Sequence, residues 1–247
     1  MTTQDEHPAS GQTVGGRLPD PRSVIECTDW AALEHAYGQA HDTPHRLLQL
    51  LDDDPEVQAG ALGLLDMSVL HQESLYSATA PAALYVAAVL NDPRTLACHE
   101  DHSTWGDRAR PLRASLLEWL GQIADSAAYG ETTDDEDGND PGVTGTVRAV
   151  RAVRAVRAVR AVRAVRAVRA VRAVRAVRGT IHDAVCAHLL DPDPTVREAA
   201  LNATTALLRS PEPAGRISAT AQILRQLPAE STDRRERATT IDHRRLG

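Results

Sequence analysis

The chain is expected to be all-α: a short α-solenoid of stacked helix pairs, interrupted by an acidic linker and an arginine-rich tract that forms a solvated helix. Three observations predict this. Asp-Pro pairs punctuate apolar stretches of helical period, the arrangement recurs along the chain, and the apolar mass is Ala, Leu and Val with no Phe. Hydrophobic residues make up 42% of the 247, enough for a core, and the small side chains suit closely packed helices. An Asp followed by Pro starts a helix well, because the carboxylate accepts otherwise orphaned N–H groups and Pro has none to leave unpaired.

Residues 1–24, rich in Gly, Pro, Thr and charge, read as a disordered tail. Helix pairs are expected over 25–130. Asp29 is placed to cap a helix from Trp30 to Tyr37, with Gly38 just past its end. Thr43-Pro44 opens the next helix, which carries Leu47, Leu48, Leu50 and Leu51. Asp54-Pro55 starts its partner, carrying Val57, Ala61, Leu62, Leu64 and Leu65.

The arrangement returns 139 residues later: residues 50–58 align without gaps on residues 189–197, with Asp193-Pro194 in place of Asp54-Pro55. A weaker copy begins 39 residues after the first, at Val89-Leu90-Asn91-Asp92-Pro93, and its second helix is delayed to Pro111-Leu112-Arg113. Helix, Asp-Pro turn and helix at a period near 40 residues are the mark of a solenoid.

Leu189-Leu190-Asp191-Pro192-Asp193-Pro194-Thr195-Val196-Arg197, continuing to Ala200 and Ala203, resembles the HEAT-repeat family, including its phycobilisome-lyase-like branch. The likeness extends well to residues 47–66 and in part to 80–124. The segment from His71-Gln72 through Tyr76 to Ala78-Thr79-Ala80-Pro81 is similar to small HEAT proteins of GC-rich bacteria. The resemblance implies an inter-repeat ladder from the turn Asp to the second-helix Arg, here Asp193 and Arg197. Gln58 stands where the first unit would need that Arg.

The formal charge of −7 hides a division. Eleven arginines lie in the tract (Arg148, Arg151, Arg154, Arg157, Arg160, Arg163, Arg166, Arg169, Arg172, Arg175 and Arg178), so the remainder carries −7 − 11 = −18. An acidic body disfavours broad nucleic-acid binding outside the tract. All 27 basic residues are Arg, which together with the absence of Phe points to a GC-rich genome. An acidic linker, 131–147, precedes the tract at 148–178; a C-terminal unit is expected over 179–228, with a last helix from Ser218 to Leu227, and an Arg-rich tail over 229–247.

The tract is ten Arg-Ala-Val triplets closed by Arg178 and Gly179, a helix stop. At about 100° per residue, each triplet turns the stripe by roughly −60°, so Arg, Ala and Val each visit every face. No face stays apolar long enough to pack on a solenoid, which predicts a single helix that is solvated or fluctuating. Two origins are consistent with it: neutral expansion of a nine-nucleotide repeat, or an electrostatic arm for nucleic acid or an acidic protein.

Catalytic and metal candidates are weaker. Cys98-His99-Glu100-Asp101-His102 offers zinc-type ligands, but Cys98 and His99 are adjacent and no fourth ligand is evident. His182 and Cys186 share a helical face, on which Cys186 reads as a small core residue. No Gly-rich phosphate loop or G-x-S-x-G occurs. The expectation is therefore a non-enzymatic scaffold or regulator that binds another protein and holds no cofactor or metal. His71, Gln72 and Tyr76, in a turn between units, are candidate contacts. An accessory nucleic-acid binder using the tract is the alternative, and a metal-dependent enzyme the more distant one. Three scattered cysteines and the lack of a long apolar run predict a cytoplasmic protein with no membrane partner.

Overall fold

The computed structural model describes residues 17–100, 109–129, 147–209, 220–222 and 225, and helices dominate it. In chain order the α-helices are α1 (Pro21–Cys27), α2 (Thr43–Gln49), α3 (Pro55–Val69), α4 (Thr79–Val89), α5 (Leu112–Tyr129), α6 (Val147–Cys186) and α7 (Pro194–Leu207). Two short antiparallel hairpins interrupt them: β1 (Glu34–His35) with β2 (Gly38–Gln39), and β3 (Cys98–Glu100) with β4 (Ala109–Pro111).

The Asp-Pro signal explains the starts of α1, α3 and α7. Asp54 accepts Glu56 N at 2.9 Å, and Asp193 accepts Thr195 N at 2.7 Å and Val196 N at 3.3 Å. Asp92 accepts Arg94 N at 2.9 Å, although its helix is only a 3₁₀ turn, Pro93–Leu96. The same signal corrects the expected N-terminal tail. Asp20-Pro21 opens α1, Asp20 accepts Ser23 N at 3.0 Å, and Val24 is buried, so residues 21–24 belong to the fold.

The helix expected over Trp30–Tyr37 does not form. Asp29 caps a single 3₁₀ turn, Trp30–Ala32, after which the chain enters the β1–β2 hairpin. Tertiary contacts outweigh local propensity here. Trp30 is buried and donates to Ile25 O at 3.1 Å, Glu34 N donates to Ser77 Oγ at 2.8 Å, and Gly38 takes φ 127°, which suits glycine. Likewise the connection around Cys98 is a ladder rather than an open loop, pairing His99 with Arg110.

The tract is helical, and α6 passes straight through Gly179, the expected stop. A glycine inside a helix costs about 1 kcal/mol relative to alanine, and burial on both sides offsets that cost. Ala170, Val174, Ile181, Ala184 and Val185 are buried, with Val171 and Val177 packed against them. The solvated-helix expectation therefore holds for only part of the tract. Described side chains between 157 and 169 are exposed, while from Ala170 onward buried positions such as Ala170 and Val174 appear and the helix packs against α4 and α5. Three triplets accumulate only about 120° of drift, close to the width of one apolar helix face. Ala170, Val174, Val177, Ile181, Ala184 and His188 then continue on alternating four- and three-residue steps.

The core gathers Tyr85, Val86 and Leu90 of the α4 region, Leu116, Leu117, Leu120 and Ile123 of α5, and Val196, Ala200 and Leu207 of α7. α7 packs mainly on α5. Their approach is close at Gly121, where a Cβ would stand 3.1 Å from Ala203 Cα. Among the described residues no helix is long and apolar enough to cross a membrane. The expected linker lies outside the described residues except Val147, as does most of the last helix and the Arg-rich tail.

Candidate functional site

Helices α3 and α5 flank a groove of about 1320 Å³, lined at one side by the β3–β4 hairpin. Pro55 fixes the start of α3, so Glu56, Ala59, Gly60, Gly63 and Asp66 line one wall; Ser115, Glu118, Trp119 and Gln122 of α5 line the other. Gly60 and Gly63 open the wall: a Cβ built at either meets nothing within 4 Å. Side chains could be added there without a clash, and an incoming chain can approach the α3 backbone closely.

Among the charged groups of the lining, carboxylates predominate. Asp54, Glu56, Asp66 and Glu118 line the groove together with one arginine, Arg110, whose guanidinium meets Glu118 Oε1 at 2.6 Å. Burial raises the Asp66 carboxyl above the usual range, against the opposing pull of His71. Trp119 is 3% exposed, and its indole N–H has no acceptor among the described residues. The groove suits binding of a cationic segment. Within the lining, Ser115 Oγ lies 3.5 Å from His99 Nε2, while Cys98 and His99 follow one another on β3.

Arg113, at the start of α5, organises the far side of that helix. Its Nη1 lies 3.2 Å from Asp191 Oδ2, Nε donates to Thr95 Oγ1 at 3.0 Å, and Nη2 donates to Asp92 O at 3.2 Å. Arg113 and Asp191 are each 8% exposed. Burial alone would raise the Asp191 carboxyl, but Asp193 N–H, His188 and Arg113 together hold it below the usual range. This pair joins the start of α5 to the turn before α7. The ladder expected between Asp193 and Arg197 does not: Asp193 is an N-cap, and Arg197 Nη1 donates to Asp191 O at 2.8 Å and Pro192 O at 2.9 Å, within its own turn. Gln58 does the same service in the turn before α3, donating to Asp52 O at 2.8 Å, and adds Arg94 O at 3.2 Å. Arg94 itself reaches Leu51 O at 2.9 Å while paired with Asp92.

His71, Gln72 and Tyr76 are not among the lining residues, although His71 acts on the Asp66 carboxyl there. The His71 ring lies tilted against Tyr37, centroids 5.6 Å apart, and Tyr76 N donates to Thr79 Oγ1 at 2.9 Å. Gln72 and Glu73 both hold positive φ, 51° and 60°, a strained turn for residues with side chains. His182 and Cys186 come together as their spacing implies, Sγ to Nε2 at 3.5 Å, with Thr220 Oγ1 at 3.2 Å from the same ring nitrogen. They belong to a buried polar knot beside α7. Asp101 and His102 lie outside the described residues, and among the described residues no group of three His, Cys, Asp or Glu is placed to hold a metal ion.

The arginines divide as the tract does. Arg148, Arg151 and Arg154 lie on the helix with side chains outside the described residues. Arg160, Arg163, Arg169 and Arg172 are exposed, and Arg166 meets Glu34 Oε2 at 2.6 Å. Arg175 instead donates to Ala127 O at 2.7 Å, satisfying a carbonyl in the last turn of α5. Comparison with protein-family models, curated proteins and solved structures returned no match.

Proposed function

We propose that the chain is a short α-solenoid of HEAT type that acts as a protein-binding scaffold, with the α3–α5 groove as its docking face. The supporting observation is the groove itself: two second helices of successive units, an acidic lining, and two glycines that leave backbone open to an incoming chain. The repeated turn geometry supports the solenoid reading. Asp54 N donates to Asp52 Oδ1 and Asp193 N to Asp191 Oδ1, each at 3.0 Å, and Gln58 and Arg197 bond equivalent carbonyls.

A second reading, nucleic-acid binding by the tract, is favoured by the exposed arginines from 160 to 172. Affinity capture from the native cell separates the two. The baits are the parent chain and a Gly60→Gln, Gly63→Gln double variant, with and without nuclease. A protein recovered by the parent and lost with the variant, whatever the nuclease, is expected. Equal recovery by both baits would remove the groove from the account, and nuclease-sensitive recovery would favour the second reading.

A further inference from the structure

Resting on the docking-face reading, we propose that the groove of one molecule receives the exposed half of α6 from a second copy of this chain. The two surfaces are complementary in charge and shape. The groove presents Asp54, Glu56, Asp66 and Glu118 around a single arginine, and the arm presents Arg160, Arg163 and Arg169 with Val162, Val165 and Val168 between them. Those valines are 37–52% exposed, an apolar surface that a solvated helix leaves uncovered.

A helix has an outer diameter of about 10–12 Å, so it needs a wall it can approach closely. Gly60 and Gly63 supply that wall, with no atom within 4 Å of where their Cβ atoms would be. Trp119 lines the opposite wall.

The arm comes from another molecule because its own groove is out of reach. α6 is one continuous helix, and its packed half lies against α4, α5 and α7. Arg166 is held to Glu34 in the β1–β2 hairpin, and no described α6 residue lines the groove. Since each copy offers one arm and one groove, the contact is head-to-tail, and such contacts grow beyond a dimer unless they close into a ring.

Sedimentation velocity on the nuclease-treated full chain tests this, at about 50 mM and about 500 mM NaCl, conditions that differ strongly in screening. Concentration-dependent species larger than one chain are expected at low salt, with apparent affinity at least about tenfold weaker at high salt. Two variants should each be monomeric: one lacking residues 148–168, which keeps the three packed triplets, and Gly60→Gln with Gly63→Gln. Mixed together they should form a one-to-one complex and nothing larger, because the first retains only a groove and the second only an arm. A full chain that stays monomeric at low salt overturns the proposal. So does association that survives the glycine double variant, or that disappears with nuclease treatment. If the full chain is monomeric while the glycine variant still loses a captured protein, the docking-face reading stands and self-association alone falls.

Discussion

Residues 157–169 and 170–178 lie on one unbroken helix and are written in the same triplet, yet the first stretch is solvated and the second is largely packed. Nothing in the repeat distinguishes Val165, 52% exposed, from Val174, 2% exposed. The difference comes from the residues C-terminal to the repeat. Ile181, Ala184, Val185 and Leu189 bury firmly, and they fix the rotation of the preceding turns against α4 and α5. Drift of roughly −60° per triplet then limits how far that register can be sustained. A repeat whose period does not match the helix can pack over a few turns beside an anchored segment, and must leave the surface beyond it.

The packed stretch leads into a turn held by Arg113 and Asp191, so the largest effect should come from that anchor. Arg113→Ala strands a buried carboxylate and removes donors from Thr95 Oγ1 and Asp92 O; a loss of about 3–5 kcal/mol is expected in urea melts. A loss below about 1 kcal/mol would mean the pair is solvated and the anchor lies elsewhere. Next in size is a matched pair within the repeat. Val174→Ala removes two buried carbons and leaves a cavity, costing about 2 kcal/mol, whereas Val165→Ala should fall within about 0.5 kcal/mol of the parent. Equal effects at the two positions would erase the distinction between the stretches.

A smaller effect should appear with pH, and it belongs to the packed end alone. Burial lowers the His188 pKa from its ordinary 6.5, against the opposing pull of its Asp191 hydrogen bond, so the folded chain holds the ring neutral. As pH falls through 6.5 the unfolded chain takes up the proton first, and stability carried by neutral His188 is lost from there toward its lower folded value. The depressed Asp191 carboxyl acts in a separate window: its contribution is present above 3.8 and is lost as pH falls through its folded value. His188→Gln should flatten the slope of melting temperature against pH between about 7 and 5, relative to the parent. An unchanged slope would assign that window to another group.

The helices were legible where the chain carries its own punctuation. Asp54-Pro55 and Asp193-Pro194 mark α3 and α7 to the residue, and the equivalence of residues 50–58 and 189–197 reappears as equivalent hydrogen bonds. Asp20-Pro21 carried the same signal inside a stretch whose composition suggested a tail. Legibility failed where distant partners decide. The β1–β2 hairpin depends on Ser77, 43 residues away, and Arg113 finds Asp191 at a separation of 78. The groove left a faint local trace, since Ala59, Gly60 and Gly63 fall on one face of α3. Its other wall comes from α5, more than 50 residues on, which no local pattern could bring opposite.

Because the triplets are identical, deleting any whole number of them yields the same protein whichever copies are removed, and the chain can always re-register so that the last three remain packed. Melting temperature measured across a series shortened one triplet at a time therefore tests the division of α6 most directly. It should stay level through the first seven deletions and then fall with the eighth and ninth, as the register of Ala170, Val174 and Val177 is consumed, by about 2–4 °C for each kcal/mol lost. A steady decline from the first deletion would show that the whole tract packs, and a level series through the ninth would show that none of it does; either result contradicts the account.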